Sequence, residues 1–208
     1  SDVCSSDLIR MTEEMLVREA DQGVTHVYAT PHFYANRKTI DRFLERRAES
    51  LKEVEALLSG RDDLPRLTAG AEVYYFTGMG QAGQLPDLCI QGTDRILIEM
   101  PFEQWTGDVY RDIEAICKRQ HLHVILAHVE RYIGFQKNKK VWNDVMRLPV
   151  TFQLNAGSLL SGGAPRRFCL KFLKEHNKVI LGSDCHNTSG REPNLADGLA
   201  VVEKKLGA

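Results

Sequence analysis

The stretch "HVILAHVERY", residues 123–132, decides how this chain folds. Its apolar run, Val124 to Ala127, suits a strand buried on both faces, as a parallel sheet requires. The run then delivers an imidazole, a carboxylate and a guanidinium in quick succession: His128, Glu130 and Arg131. Chemistry placed just past the C-terminal end of a buried strand is characteristic of α/β folds, whose sites lie on that side of the sheet.

Working outward, the same arrangement recurs. "THVYATPHFY" leads to His32, "RLTAGAEVYY" to Glu72 and "RILIEMPF" to Glu99. "TFQLNAG" leads to Asn155, read as a turn former, and "KVILGSDCHN" to Asp184 and His186. Between these strands lie helical patterns. Ile40, Phe43, Leu44, Leu51, Val54 and Leu58 recur at helical spacing and stop at Gly60. "DVYRDIEAICKRQ", "KKVWNDVMRL" and "PRRFCLKFLKEH" give further helices, and Leu195, Leu199, Val202 and Leu206 give the last. Met11, Met15 and Leu16 mark a first helix, closed by Gly23. Strand–helix alternation implies right-handed parallel βα units. Six strands are expected, with "ILI", "VIL" and "VILG" covered on both faces. That number fits an open doubly wound sheet or a closed barrel. Polar groups from all the strand ends meet at one mouth only in a barrel, and this favours the (β/α) barrel.

Bulk properties exclude several function classes. The 208 residues are 43% apolar with a net charge of -1, so no basic footprint for nucleic acid or an anionic membrane exists. No apolar run approaches the ~18 residues of a membrane span. The five cysteines, Cys4, Cys89, Cys117, Cys169 and Cys185, are odd in number and scattered, which fits a reducing cytoplasm better than a disulfide framework. The opening "SDVCSSDL" has no apolar period and matches the translation of a sequencing-adapter end. Residues 1–8 therefore read as a non-native leader, and 9–208 as the domain.

Taken singly, each strand-end residue has a structural explanation, such as a cap or an ion pair. Together, His32, Glu72, Glu99, His128, Asp184 and His186 form a set that suits Mn²⁺, Fe²⁺ or Zn²⁺. Asp184 and His186, two apart on an expected strand, would point to one side. Arg131 and Arg191 fall in loops on the same rim, and guanidinium suits phosphate. No serine or cysteine nucleophile sits in an elbow.

"ATPHF", "GAEVYY", "LIEMPF", "AHVERY", "QLNAGSL" and "SDCHNTSGREP" resemble, in order from Met11 to the end, the bacterial tyrosine-protein phosphatases of the PHP (polymerase and histidinol phosphatase) superfamily, which are associated with capsule and exopolysaccharide loci. The resemblance implies a distorted (β/α)7 PHP barrel around two or three ions, usually Mn²⁺. It makes His32, Glu72, Glu99, His128, Asp184 and His186 ligands, with Glu72 bridging two ions. It gives Arg131 and Arg191 the phosphoryl oxygens. A protonated site histidine, His186, could donate a proton to the leaving group where one is needed. The family opens with a His-x-His strand that has no counterpart before Met11. The chain is thus expected to lack the barrel's first strand and three ligands, and to be weakly active or inactive. The implied substrate is phosphotyrosine, on a bacterial tyrosine kinase of the capsule system. The alternatives are a small-molecule phosphoesterase of histidinol phosphatase type and a non-catalytic fragment that binds metal or phosphate.

Overall fold

The structure is a computed structural model, and it describes residues 5–207. In chain order its elements are α1 (Ser5–Asp21), β1 (His26–Ala29), β2 (His32–Phe33), α2 (Ile40–Leu58), β3 (Arg66–Ala69), β4 (Glu72–Tyr74), β5 (Arg95–Glu99) and α3 (Gly107–Lys118). They continue with β6 (His123–Leu126), α4 (Lys140–Met146), β7 (Thr151–Asn155), α5 (Ala156–Leu160), α6 (Gly163–Glu175), β8 (Val179–Gly182) and α7 (Leu195–Leu206). Of the expected leader, Ser1–Cys4 lie outside the described residues, and Ser5–Leu8 belong to α1.

The first two expected strands are each divided in two. Pro31 has no N–H to give a ladder, so β1 ends at Ala29 and β2 resumes at His32. The neighbouring strand breaks beside it at Gly70, where a Cβ would stand 3.1 Å from Ile90 and 3.2 Å from Thr30. Pairing carries across the break. Gly70 N–H donates to the Ala29 carbonyl at 2.8 Å, and Glu72 N–H to the Pro31 carbonyl at 3.0 Å.

β1 pairs with β3, and the six-stranded sheet runs β2-β4-β5-β6-β7-β8, all parallel. With β1–β2 and β3–β4 each counted as one divided strand, neighbours in space are neighbours in sequence, so the sheet never reverses direction as a doubly wound sheet does. It curls instead. The rings of His32, on β2, and His186, beyond β8, come within 5.6 Å although they belong to opposite ends of the sheet. This is the wall of a barrel whose mouth lies at the C-terminal strand ends.

"VILG" corrects one expectation. β8 is not covered on both faces: it is an edge strand, and Ile180 is 44% exposed. Tyr28 on β1, at the other edge, is 55% exposed. Burial is complete along β7, and along β6 from Val124 onward. Their apolar side chains Val124, Leu126, Phe152 and Leu154 share one core with Ile113 and Ile116 of α3. The α2 stripe is less buried than its pattern suggests: only Phe43 is fully covered, meeting Phe33 edge-on at 5.3 Å. α5 was not anticipated, because "NAGSLL" passes from strand to helix with no turn signal.

α7 approaches α5 closely at Gly198, where a Cβ would fall 2.6 Å from that of Ala156. Gly198→Ala is expected to cost ~1–3 kcal/mol by overpacking. Differential scanning calorimetry would register a lowered Tm, and an unchanged Tm would show that the helices slide apart freely.

Candidate metal centre

β2, β4, β5 and β6 bring four of the expected residues to one point. His32, Glu72 and Glu99 place one ligand atom each within 4.8 Å of one another. The His32 Nε2 stands 3.9 Å from a Glu99 carboxylate oxygen. The His128 Nε2 lies 3.0 Å from Glu72 and 3.6 Å from Glu99. Parallel register explains the convergence: His32 is opposite Glu72 on the β2–β4 ladder, and Tyr74 is opposite Glu99 on the next.

The electrostatics ask for a cation. Glu72 and Glu99 are both buried. Burial raises the Glu99 carboxyl above its ordinary range, and the Glu72 charge raises it further, against the pull of His128, His32 and Arg131. One buried oxygen of Glu99, Oε2, has no hydrogen-bond partner. An orphaned carboxylate oxygen among two imidazoles and a second carboxylate fits a divalent ion of the Mn²⁺, Fe²⁺ or Zn²⁺ type. The residues present therefore fit the expected metal.

His128 is held from behind. Its backbone is left-handed, at φ 30°, and its N–H donates to the Gln153 side-chain oxygen. Its Nδ1 lies 3.0 Å from the Tyr132 hydroxyl, which accepts from Met100 N–H at 3.0 Å. In the metal-free protein Nε2–H donates to Glu72 at 3.0 Å. With an ion present the proton would sit on Nδ1, facing Tyr132, and the Nε2 lone pair would serve the ion. This is the usual arrangement behind a ligating imidazole. Burial pushes the Tyr132 phenol well up, so it stays neutral.

Asp184 and His186 correct a second expectation. They do not sit on a strand, because β8 ends at Gly182 and Asp184 adopts φ 50°. Strand alternation therefore does not align them. They adjoin because His186 Nδ1–H donates to the Asp184 carbonyl at 3.0 Å, which leaves Nε2 as the lone-pair atom. The Asp184 Oδ2 receives Arg131 at 2.8 Å, Arg191 at 2.6 Å and the Asn155 amide at 2.8 Å. Burial opposes its ionisation, but the two guanidiniums and Asn155 outweigh this and lower its pKa. The structure thus gathers all eight expected residues at one mouth, in two groups. His32, Glu72, Glu99 and His128 form a carboxylate–imidazole nest. Asp184, Arg131 and Arg191 form a charged rim, and His186 stands between the groups.

Sequence reasoning missed the supports. Gln153 bonds both His128 and, at 2.8 Å, Asn155, so Asn155 serves Asp184 and not merely a turn. The signal was present: the polar residues Thr151, Gln153 and Asn155 alternate with Phe152 and Leu154 along the buried β7. Tyr132 had a signal too, one helical turn beyond His128. Glu19 had none. It reaches from α1 to accept from Ser183 at 3.2 Å and from the Cys185 thiol at 3.6 Å.

Comparison with known proteins gives the arrangement a context. The tyrosine-protein phosphatase CpsB of Streptococcus pneumoniae is 22% identical over 205 residues, which cover 95% of this chain and 83% of that one. CpsB of Streptococcus agalactiae is 23% identical over 146 residues, covering 66% of this chain and 60% of its own length. Among solved structures, the set described as YwqE from Bacillus subtilis and CpsB from Streptococcus pneumoniae, unique metal-dependent tyrosine phosphatases, superposes with a TM-score of 0.79 at 22% identity. It covers 96% of this chain and 81% of that one, and shares the fold. The family described as capsular polysaccharide synthesis, CpsB/CapC, matches residues 4–208, and the chain belongs to it.

Proposed function

We propose that this protein is a metal-dependent protein-tyrosine phosphatase, and that its substrate is a phosphotyrosine on a tyrosine kinase of the capsule system. The observation that carries the reading is the pairing of the His32–Glu72–Glu99 nest with two guanidiniums on one rim. The tyrosine phosphatase names of the relatives support it.

His32, Glu72, Glu99 and His128 would hold one ion, with Asp184 and His186 serving a neighbouring position; Mn²⁺ is our choice of metal. In such a donor set a divalent ion supplies Lewis acidity toward phosphoryl oxygen and a water nucleophile available at neutral pH. The chain itself does the positioning. Arg131 and Arg191 are partly exposed and carry N–H groups beyond those spent on Asp184, so both can turn toward phosphoryl oxygens. When its ring is protonated and not spent on an ion, His186, with Nδ1–H held by the Asp184 carbonyl, could pass the Nε2 proton to the leaving oxygen. A tyrosine phenol, with pKa ~10, asks little of that acid. The exposed edges at Tyr28 and Ile180 support our further reading that one more strand belongs beside β1.

Turnover of a phosphotyrosine peptide and of histidinol phosphate, each with Mn²⁺, tests the assignment. The assay should use this chain and one extended by a His-x-His strand. Peptide hydrolysis that rises in the extended chain is expected. Preference for histidinol phosphate would overturn the assignment.

Thiol chemistry is not part of this reading. Cys185 adjoins the site, but burial raises its pKa and Glu19 adds to this. Burial also pushes Cys89 to about 11 and Cys169 to about 12. A thiolate nucleophile needs the opposite shift. Cys185→Ser is expected to keep turnover within about twofold, and loss of activity in that variant would reinstate a cysteine mechanism.

A further inference from the structure

We propose that Phe102 and Phe135 form the wall that receives the substrate's aromatic ring, so that the site selects aryl over alkyl phosphate esters. The inference rests on the phosphatase reading above.

Phe102 follows β5, and Phe135 lies in a 3-10 turn at Ile133–Phe135, so both stand at the mouth. They are 39% and 45% exposed. Their rings meet edge-on at 6.0 Å. The Phe102 ring also stacks on His128 at 6.1 Å and leans on Tyr132 at 5.2 Å. One end of the pair thus touches the nest, and the other faces solvent. On the His32 side, Tyr34 stacks on His32 at 5.8 Å and meets Tyr74 at 5.5 Å. An aryl phosphate whose phosphorus sits at the nest must place its ring beside these groups. A serine phosphate would leave the wall empty.

The two loops bearing the phenylalanines are locked together. Gln136, 3% exposed, accepts from Trp105 N–H at 3.0 Å and from the Gln104 amide at 3.2 Å, and donates to the Glu103 carbonyl at 2.8 Å. Gln104 adds bonds of 2.9 Å to the Asn138 carbonyl and from its N–H. The Trp105 indole N–H donates to the Pro101 carbonyl at 3.0 Å. A buried polar network that fixes two loops, while the phenylalanines they carry stay exposed, is how a binding surface is preorganised. Aromatic rings prefer edge-to-face or offset contact at ~4.5–7 Å between centroids, and the tilted faces of Phe102 and Phe135 offer both.

Calorimetric titration with phosphotyrosine and phosphoserine, in Mn²⁺, tests this on the parent chain, Phe135→Ala and Phe102→Leu, with thermal melts as the folding control. The parent should bind phosphotyrosine about tenfold more tightly than phosphoserine. Phe135→Ala should erase that preference while leaving phosphoserine affinity unchanged, and Phe102→Leu should reduce it. Equal affinities in the parent, an undiminished preference in both variants, or parallel loss of both ligands would overturn the wall while leaving the phosphatase reading intact. A parent that binds neither ligand would overturn both.

Discussion

Glu72→Gln is expected to remove the stabilisation that Mn²⁺ gives the fold, while the metal-free variant unfolds at or above the parent's temperature. The two halves of this result have separate causes. In the metal-free protein Glu72 and Glu99 are buried acids whose charges oppose each other, and Glu99 is raised by burial and by Glu72. A neutral amide of the same shape relieves that repulsion and can still accept at Oε1 from His128. With metal the sign reverses. A ligand bound only by the native state, at 100 times its Kd, stabilises by ~2.7 kcal/mol. In a chain of this size, ~2–4 °C accompanies each kcal/mol, so the parent should gain about 5–10 °C. The variant should gain little, and its turnover should be lost. Scanning fluorimetry with Mn²⁺ or EDTA reads this directly. Equal metal-induced shifts in parent and variant would remove Glu72 from the site.

Arg131→Ala and Arg191→Ala should each lower kcat/KM for a phosphotyrosine peptide by ~10²–10³, the loss typical when one fixed donor to transition-state charge is removed. Tm should change little in either variant. In each, the other guanidinium and Asn155 still hold the Asp184 Oδ2. That redundancy separates a role toward substrate from a role in folding. Lysine should rescue only in part, since it keeps the charge but loses the planar fork. A loss under about threefold in both alanine variants would confine the arginines to holding Asp184.

Most of the fold was legible because its signals are local. Alternating strand and helix periodicities need only a few neighbouring residues, and they placed α2, α3 and the strands from β5 to β8 correctly. The breaks in the first two strands were less legible. Pro31 announces one of them, but Gly70 is explained only by the approach of Ile90. Exposure of β8 could not be read from "VILG", because whether a strand is central or at an edge depends on pairing with distant residues.

The sequence by itself determined which residues are capable of the chemistry: His32, Glu72, Glu99, His128, Asp184 and His186 each lie in or just beyond a recognisable strand. A side chain's capacity for metal or phosphate is a property of its own atoms. Only the tertiary structure decided how these residues divide between a carboxylate–imidazole nest and an arginine-bound rim. It also decided which buried groups hold them: Tyr132 behind His128, Asn155 on Asp184, and Glu19 of α1 on the loop beyond β8. Distances of a few ångströms between residues far apart in the chain are set by sheet curvature, register and the left-handed turns at His128 and Asp184. Local patterns carry no record of those.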